Sequence, residues 1–336
     1  MDIEELEKID TKKMYQIYDN CFENSKESFN QNFSVPDFKN IDHVVFAGMG
    51  GSGTIGDIVS SILSKNDIHT TVIKGYLLPK TVDKNTLVVT TSISGNTKET
   101  LTVLNDSLKT NAKIIALSSG GKMEKFSTNH DEIKYFKINQ IHSPRASLFG
   151  FLYSALNILQ YLIPIKKIDI EESLSELKIM QNQISSTNLT SENSALELAK
   201  WMNNIPIIYY PAGLQSAATR FKNSLQENAK THVITEDVIE ACHNGIVAWE
   251  QKSNIQPVLI QGKDDYEKTK DRWSILKEFL KEKNIDYREV FSNQGSILTK
   301  LVCLTYYLDY VSIYRAVLSE IDPSPVSSID FIKKKL

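Results

Sequence analysis

Short apolar runs that end in small or hydroxylated residues recur along the first half of the chain. Residues 44–47 precede glycines at positions 48, 50, 51 and 53, residues 87–92 lead into SISGNTKET, and residues 113–121 end in SSGG. Helical patterns separate these runs, and this alternation predicts an α/β fold with a doubly wound parallel sheet. Ligands of such sheets bind beyond the carboxyl ends of the strands, which is where these runs carry Ser, Thr or Gly.

The same pattern restarts after a polar stretch at residues 166–195, in which Leu174, Leu177 and Met180 have helical spacing. Further strands are predicted at residues 204–213, 256–262 and 287–292. A helix is predicted around residues 301–317, and a single N-capped apolar helix is predicted earlier, from Ser143 to Leu162. The second half of the chain therefore repeats the architecture of the first.

These changes of pattern predict the domain organisation. The predicted segments are an N-terminal helical segment (1–35), a first α/β domain (36–165), a helical crossover (166–195), a second α/β domain (196–320) and a C-terminal helix (321–336).

Composition narrows the class of protein. The chain has 336 residues, 41% of them hydrophobic, and a net charge of −3, so no global basic field favours nucleic acid. No apolar run approaches the roughly 18 residues that a membrane span needs, and the acidic N-terminus is unlike a signal peptide. Cys21, Cys242 and Cys303 are far apart, which favours reduced thiols in the cytoplasm. We expect a soluble cytoplasmic protein with neither a nucleic-acid nor a membrane partner.

The segment SISGNTKET (residues 92–100) is the strongest candidate for a binding site. It follows a predicted strand and opens a predicted helix, so helix N–H groups and the positive end of the helix dipole face the ligand. Ser92, Ser94, Thr97 and Thr100 add hydroxyl groups. Together these groups suit a phosphate monoester without a metal ion. The alternative is that the hydroxyls only cap the helix.

Five motifs together carry a resemblance to a known family: GMGGSGTIGD, SISGNTKET, SSGG, SPRASL and ENAKTHVITEDVIEACHNGIVAWE. The first alone is also compatible with a dinucleotide-binding loop. In combination they resemble the bifunctional phosphoglucose/phosphomannose isomerases, a branch of the sugar-isomerase (SIS) superfamily. The resemblance implies two SIS subdomains, each a doubly wound parallel sheet flanked by helices. It also implies a homodimer that isomerises 6-phosphosugars through a cis-enediol, with no metal and no other cofactor.

The resemblance also implies binding residues. The phosphate is expected to be bound by Ser92, Ser94, Thr97 and Thr100. Residues expected to lie beside the sugar are Gly50, Gly51 and Ser52. Relatives use a threonine near the C-terminus to place a water for mannose 6-phosphate turnover. This chain instead offers Ser324, Ser327 and Ser328, which leaves the balance between the two substrates open.

Four catalytic residues are implied in the same way. Glu227 matches the base, Arg145 the cation that stabilises the enediolate, His243 the ring-opening histidine contributed by the neighbouring subunit, and Lys333 a C-terminal lysine that assists ring opening. Taken singly, each residue also has an ordinary structural interpretation. Glu227 and Arg145 could be surface charges, His243 could be a structural histidine, and Lys333 could belong to a solvated tail. A C2 proton is not acidic, however, so a positioned carboxylate beside a cation is required. Glu99 and Glu240 remain competing candidates for the base.

The predicted function is therefore an aldose–ketose isomerase that converts glucose 6-phosphate and mannose 6-phosphate to fructose 6-phosphate. One alternative is a non-catalytic sugar-phosphate regulator, but such proteins usually carry a basic DNA-binding segment, which the acidic N-terminal 35 residues do not resemble. Another is the isomerase half of an amidotransferase, which would need an N-terminal domain with a nucleophilic cysteine; Cys21 lies in a predicted short helix.

Overall fold

The structure is a computed structural model that describes residues 1–335. The chain forms two compact units. The first unit is Asn20–Leu174, and the second unit combines Met1–Asp19 with the chain from Ser175 onward.

The chain contains helices throughout its length. In chain order the α-helices are α1 (Ile3–Ile9), α2 (Met14–Asp19), α3 (Cys21–Phe29), α4 (Gly50–Leu63), α5 (Lys98–Ser107), α6 (Gly121–Ser127), α7 (Leu148–Leu159), α8 (Lys167–Ile184), α9 (Ser194–Trp201), α10 (Gln215–Asn228), α11 (Val238–Ala241), α12 (Glu267–Glu282), α13 (Ile297–Leu318) and α14 (Ser327–Lys335). Short 3₁₀ helices lie at Ala212–Leu214 and Gly245–Glu250.

Strands alternate with these helices in both units. They are β1 (His43–Ala47), β2 (His69–Ile73), β3 (Thr86–Ser92), β4 (Lys113–Ser118), β5 (Ile133–Lys137), β6 (Ile205–Tyr210), β7 (Ile234–Asp237), β8 (Ile255–Gln261) and β9 (Arg288–Phe291).

The first unit is built on a five-stranded sheet of order β2-β1-β3-β4-β5, in which every neighbouring pair is parallel. Val88 of β3 lies opposite Val45 of β1 and Ile114 of β4. These three side chains are fully or almost fully buried. Strands buried on both faces read as continuous apolar runs, which is why the sequence identified the central strands.

The second unit is built on a four-stranded parallel sheet of order β7-β6-β8-β9. Its core includes Tyr209 of β6, whose hydroxyl accepts a hydrogen bond of 3.0 Å from the Trp249 indole. The predicted fold class, two doubly wound parallel sheets flanked by helices, is confirmed.

Three strands were not predicted from the sequence, and each lies at the edge of a sheet: β2, β5 and β7. Their sequences are HTTVI, IKYFK and ITED, and most of their side chains are exposed or only partly buried. An edge strand is less covered by helices, so its apolar signal is short and mixed with polar residues.

The predicted helix from Ser143 to Leu162 is wrong at both ends and in its cap. The helix is α7, which begins at Leu148 and ends at Leu159, and the side chain of Ser147 makes no capping bond. Residues 143–147 instead form a turn, because the Ser147 hydroxyl donates to the carbonyls of Ile141 and Ser143 at 2.8 and 2.9 Å.

The helix predicted around residues 301–317 is α13, Ile297–Leu318. The expectation that no apolar run approaches the length of a membrane span is wrong for α13, which could cross a membrane by length and composition; 83% of its most apolar stretch is buried inside the structure.

Candidate functional site

The loop between β3 and α5 holds two of the predicted phosphate-binding hydroxyls together. The Ser92 hydroxyl donates to Thr97 Oγ1 at 3.0 Å and accepts the Thr97 backbone N–H at 3.4 Å. Ser92 is fully buried, whereas Ser94 and Thr97 are partly exposed. The two exposed hydroxyls are therefore the ones that a ligand at the start of α5 can reach, and Ser92 orients Thr97.

Helix capping does not account for these hydroxyls. Thr97 occupies the N-cap position of α5, but its side chain accepts no hydrogen bond from the first turn of the helix. The Thr100 hydroxyl is buried and has no hydrogen-bond partner within residues 1–335. The N–H groups of the first turn of α5 thus remain available to an anion, as expected at a helix N-terminus.

The SSGG segment packs against this loop and hydrogen-bonds to it. Gly95 has a φ of +68°, and a Cβ at this position would lie 1.8 Å from the Gly120 carbonyl oxygen. The Ser119 hydroxyl donates to the Ile93 carbonyl at 2.7 Å, and the side-chain oxygen of Asn96 accepts the Lys122 N–H at 3.1 Å. A side chain at position 95 cannot fit, so the glycine is required by close packing of the two loops.

Sequence reasoning assigned no role to Ser119 or Asn96. Each lies in or beside a predicted motif, but the sequence around a polar loop residue does not indicate which distant residue it will hydrogen-bond.

The glycine-rich segment after β1 reaches the same loop. The Ser52 hydroxyl accepts the Ile93 N–H at 3.2 Å, so it joins the start of α4 to the end of β3. Gly50 begins α4 with a φ of +53°, and Gly51 is partly exposed beside it. The structure thus brings Gly50, Gly51 and Ser52 to the carboxyl edge of the sheet, next to the predicted phosphate loop.

Arg145 lies in the turn between β5 and α7. Its side chain is 6% exposed, and the hydrogen bonds of Ser147 with the backbone of Ile141 and Ser143 close the turn around it. The interpretation of Arg145 as an ordinary surface salt-bridge partner does not fit a side chain so deeply buried.

Glu227 lies in the last turn of α10 in the second unit, and its side chain is partly exposed. Arg220 and Ser224 precede it at positions that place all three side chains on one side of the helix. Both bind Asp309 of α13: the Arg220 Nη2 atom lies 2.8 Å from Asp309 Oδ2, and the Ser224 hydroxyl donates to Asp309 Oδ1 at 2.5 Å. One turn later Asn228 donates to Ser312 Oγ at 2.9 Å.

The buried Arg220–Asp309 pair is a stable ion pair. Burial alone would lower the pKa of the Arg220 guanidinium, but the Asp309 carboxylate more than compensates, so the pKa is raised. A buried arginine without this carboxylate would be costly, because an unpaired charge loses its hydration. The pair therefore fixes the helix that carries Glu227 against α13.

Lys230 connects the end of α10 to the segment that leads into α14. Its ammonium group donates to the carbonyls of Glu227 at 2.5 Å and Pro325 at 2.8 Å. Its backbone is left-handed, with a φ of +55°, which turns the chain away from the helix. The structure thus joins the Glu227 turn to the segment before Lys333, although Lys333 itself is exposed near the end of α14.

His243 follows α11, and its side chain is exposed. Its backbone N–H donates to the Glu240 carbonyl at 2.9 Å, and the Glu240 carboxylate accepts the Asn244 side-chain amide at 2.8 Å. An exposed histidine is not the buried structural histidine of the ordinary interpretation, and its imidazole is accessible from solvent. Within residues 1–335, no three His, Cys, Asp or Glu side chains are grouped so that they could hold a metal ion.

Comparison with known proteins adds family information to this geometry. Residues 37–159 match the SIS domain, and residues 191–336 match the bacterial phospho-glucose isomerase C-terminal SIS domain. The bifunctional phosphoglucose/phosphomannose isomerase of Caldicellulosiruptor bescii is 34% identical over 307 residues, which cover 89% of this chain and 90% of that protein. The chain belongs to the bifunctional phosphoglucose/phosphomannose isomerase family.

Other members and solved structures agree. The bifunctional phosphoglucose/phosphomannose isomerase of Aquifex aeolicus is 31% identical over 87% of this chain and 90% of that protein. The crystal structure of a hypothetical protein from Thermus thermophilus superposes with a TM-score of 0.76 at 15% identity, covering 98% of this chain and 92% of that one. The resemblance drawn from the five motifs is thereby confirmed at the level of the family.

Proposed function

We propose that this family member is an aldose–ketose isomerase that interconverts glucose 6-phosphate and mannose 6-phosphate with fructose 6-phosphate. The observation that supports this most directly is identity of 34% over nine-tenths of a relative that is named for both activities. The reaction class is supported further by the SIS domain match and by the exposed hydroxyls at the N-terminus of α5.

In the proposed mechanism the first unit holds the substrate. Ser94 and Thr97 donate to the phosphate oxygens, and the N–H groups at the start of α5 add their dipoles. Gly50, Gly51 and Ser52 lie along the sugar. Fixing the phosphate in this way leaves the other end of the open-chain sugar to the catalytic groups, which is how binding away from the reacting atoms orients a substrate.

The chemical step is a proton transfer between two neighbouring carbons. Glu227 removes the proton from C2 of the aldose and returns it to C1, while the hydroxyl proton moves from O2 to O1, so no oxidant or reductant is consumed. Arg145 stabilises the negative charge of the enediolate. Before this step, His243 and Lys333 open the pyranose ring.

Two substrates follow from a planar intermediate. Glucose 6-phosphate and mannose 6-phosphate differ only at C2, and C2 is trigonal in the enediol. Return of the proton to one face of C2 gives one sugar and to the other face the other sugar, so a single base serves both when rotation about the C2–C3 bond presents either face of the enediol to it.

We further infer a cytoplasmic homodimer in which His243 acts on the substrate of the neighbouring subunit. The family resemblance and the exposed position of His243 support the shared site. The three cysteines form no disulfide within residues 1–335, which agrees with a reducing compartment.

The test is to incubate the purified protein with each of the three sugar phosphates in D₂O and follow the products by NMR. We expect both aldoses to be converted to fructose 6-phosphate, with deuterium appearing at C2 of recovered aldose. A protein that binds these sugars without turnover would be a regulator. If neither aldose is converted, glucosamine 6-phosphate is added as a fourth sugar phosphate, and its turnover would favour the amidotransferase type.

Glu227→Gln tests the assignment of the base. The substitution keeps the size and polarity of the side chain but removes the base, so kcat should fall by about 10²–10⁴-fold while KM changes little. Interconversion of the anomers of glucose 6-phosphate should persist, because ring opening uses other residues. Glu240→Gln is the matched control and should remain active. Near-normal deuterium exchange in folded Glu227→Gln would remove Glu227 from the mechanism.

A further inference from the structure

The second unit contains a pocket that none of the candidate catalytic residues line. Its volume is about 350 Å³, and it lies where β6 and β8 begin, beside the end of α10 and the last turns of α13. The lining residues are Met202, Asn203, Asn204, Ile205, Pro206, Leu225, Thr231, Asn254 and Arg315.

Arg315 is the only charged residue in this lining. Its guanidinium donates to Asn203 Oδ1 at 3.4 Å, and no carboxylate within residues 1–335 lies at ion-pair distance from it. Burial of the side chain lowers the pKa of Arg315. Arg220, which packs against the same helix α13, differs because Asp309 compensates its charge.

An arginine stays protonated at physiological pH even when its pKa is lowered, so Arg315 carries a positive charge that the described residues leave without a counter-ion. Partial burial removes some of its hydration, and this cost is recovered when an anion binds. The pocket therefore favours a negatively charged ligand over a neutral or positively charged one.

The wall formed by residues 203–205 and Asn254 is held in place before any ligand arrives. The side-chain oxygen of Gln256 accepts the N–H groups of both Asn203 and Asn204 at 2.8 Å, and its amide donates to the Trp201 carbonyl at 3.2 Å. The Ile205 N–H donates to the Asn254 carbonyl at 3.1 Å. Because the backbone of this wall is satisfied within the protein, the asparagine side chains can serve a ligand.

The chemistry of the lining indicates the class of ligand. One cation neutralises one negative charge, and the side-chain amides of Asn203, Asn204 and Asn254 supply both donors and acceptors. Met202, Pro206 and Leu225 add apolar surface. A phosphate dianion would lack a second cation here, whereas a carboxylate on a short apolar body matches each of these groups.

We propose that this pocket is a binding site for a small organic carboxylate, with Arg315 binding the carboxylate group and the asparagine amides and apolar residues holding the body. Arginine presents two parallel N–H groups that match a carboxylate. The site is separate from the phosphate loop of the first unit in the residues that form it, so the two can be tested independently.

The experiment uses 4-fluorobenzoate as the probe and the full-length protein, with binding followed by the broadening of the ¹⁹F NMR signal. We expect concentration-dependent broadening with the wild-type protein, and at least about tenfold weaker binding with Arg315→Gln. Arg315→Lys should retain part of the affinity. Arg288→Gln is the matched control: this arginine of the same unit has its own partner in Asp286 at 2.7 Å and lies outside the pocket, so binding should be unchanged.

Two further measurements make the result decisive. Asn254→Asp leaves Arg315 in place but adds a negative charge to the pocket lining, so it should also weaken binding of the anionic probe by at least about tenfold, even if Arg315→Gln does not fold. Saturating fructose 6-phosphate should leave the broadening unchanged. Equal binding by the wild-type, Arg315→Gln and Asn254→Asp proteins, no binding by the wild-type protein, or displacement of the probe by fructose 6-phosphate would each overturn the proposal.

Discussion

At the scale of single residues, the hydroxyls of the loop between β3 and α5 differ in what they can do. Ser92 is buried and binds Thr97, whereas Ser94 and Thr97 are partly exposed at the start of a helix whose first N–H groups have no side-chain cap. Ser92 and Ser94 look alike in the sequence, but burial leaves only Ser94 within reach of a ligand, while Ser92 contacts Thr97.

The difference predicts the effect of removing each exposed hydroxyl. Ser94→Ala and Thr97→Ala should each weaken substrate binding by roughly 0.5–3 kcal/mol, a range that spans hydrogen bonds to neutral and to charged partners. Inhibition by inorganic phosphate should weaken in parallel, since it reports the phosphate contact alone. Thr102→Ala is the control, because that hydroxyl donates to the Lys98 carbonyl within α5 at 2.9 Å.

Unchanged substrate and phosphate affinities, with only a lower unfolding temperature, would show that Ser94 and Thr97 are structural.

His43 is a second residue whose surroundings predict a measurable effect. It lies at the start of β1, with Nε2 3.1 Å from Thr71 Oγ1 and its ring 4.8 Å from that of His69. Burial, and then the charge of His69, lower the pKa of His43, although Asp42 and Asp83 oppose the shift. The folded protein therefore binds this proton less readily than the unfolded chain.

Because the unfolded state takes up more protons, stability contributed by neutral His43 is complete above the ordinary pKa of about 6.5 and is lost as the pH falls towards the lower folded value. We expect the thermal unfolding midpoint to fall between pH 7.5 and pH 5. His43→Gln, which retains a polar group for Thr71, should flatten this dependence. An identical pH dependence in both proteins would refute the assignment to His43.

At the scale of elements, the strands buried on both faces were predicted from the sequence, whereas of the four edge strands only β9 was predicted. The runs VVFA, LVVTTS and KIIALS became β1, β3 and β4 because helices cover both faces of these strands. The strands β2, β5 and β7 were missed because edge strands carry threonine, lysine and glutamate. The start of α7 was misplaced because the Ser147 hydroxyl closes a turn with Ile141 and Ser143, which a capping pattern does not distinguish.

The same contrast holds for the candidate site. Loop motifs with glycine and hydroxyl residues could be found in the sequence, because backbone geometry restricts which residues can stand there. The contacts of Asp309 and Lys230 that hold the helix carrying Glu227 could not be found in the sequence. They join α10 and the residues just after it to a helix and a loop more than 80 residues away.

Lys230 therefore gives a prediction at the level of elements. Lys230→Met keeps the aliphatic stem but removes the donors to the Glu227 and Pro325 carbonyls. The segment from residue 322 onward should then exchange its amide hydrogens faster by mass spectrometry, and kcat should fall because Lys333 is on this segment. Lys222→Met, on the neighbouring helix α10, is the control.

Unchanged exchange in a folded Lys230→Met protein would show that these hydrogen bonds do not hold the C-terminal segment.

At the scale of the whole molecule, the candidate residues are divided between the two units. The first unit carries the phosphate loop, the glycine segment and Arg145, and the second carries Glu227, His243 and Lys333. Both units have a parallel sheet, with five strands in the first and four in the second. The alternation of strands and helices therefore repeats along the sequence, although the residues themselves do not. The proposed mechanism also requires a dimer, because in it His243 acts on the substrate of the neighbouring subunit.

Mixed dimers test that assignment. Glu227→Gln and His243→Ala should each have little activity as homodimers. If His243 acts in the neighbouring subunit, a heterodimer of the two contains one site with both substitutions and one site with both wild-type residues. Such a heterodimer, purified with two affinity tags, should recover about half of the wild-type activity, because only one of its two equivalent sites is intact. A heterodimer of Glu227→Gln with a second, differently tagged Glu227→Gln chain is the control and should stay inactive. If both residues act within one chain, every site of the mixed heterodimer carries one substitution. Absence of recovery in the verified heterodimer would therefore place Glu227 and His243 in the same subunit's site.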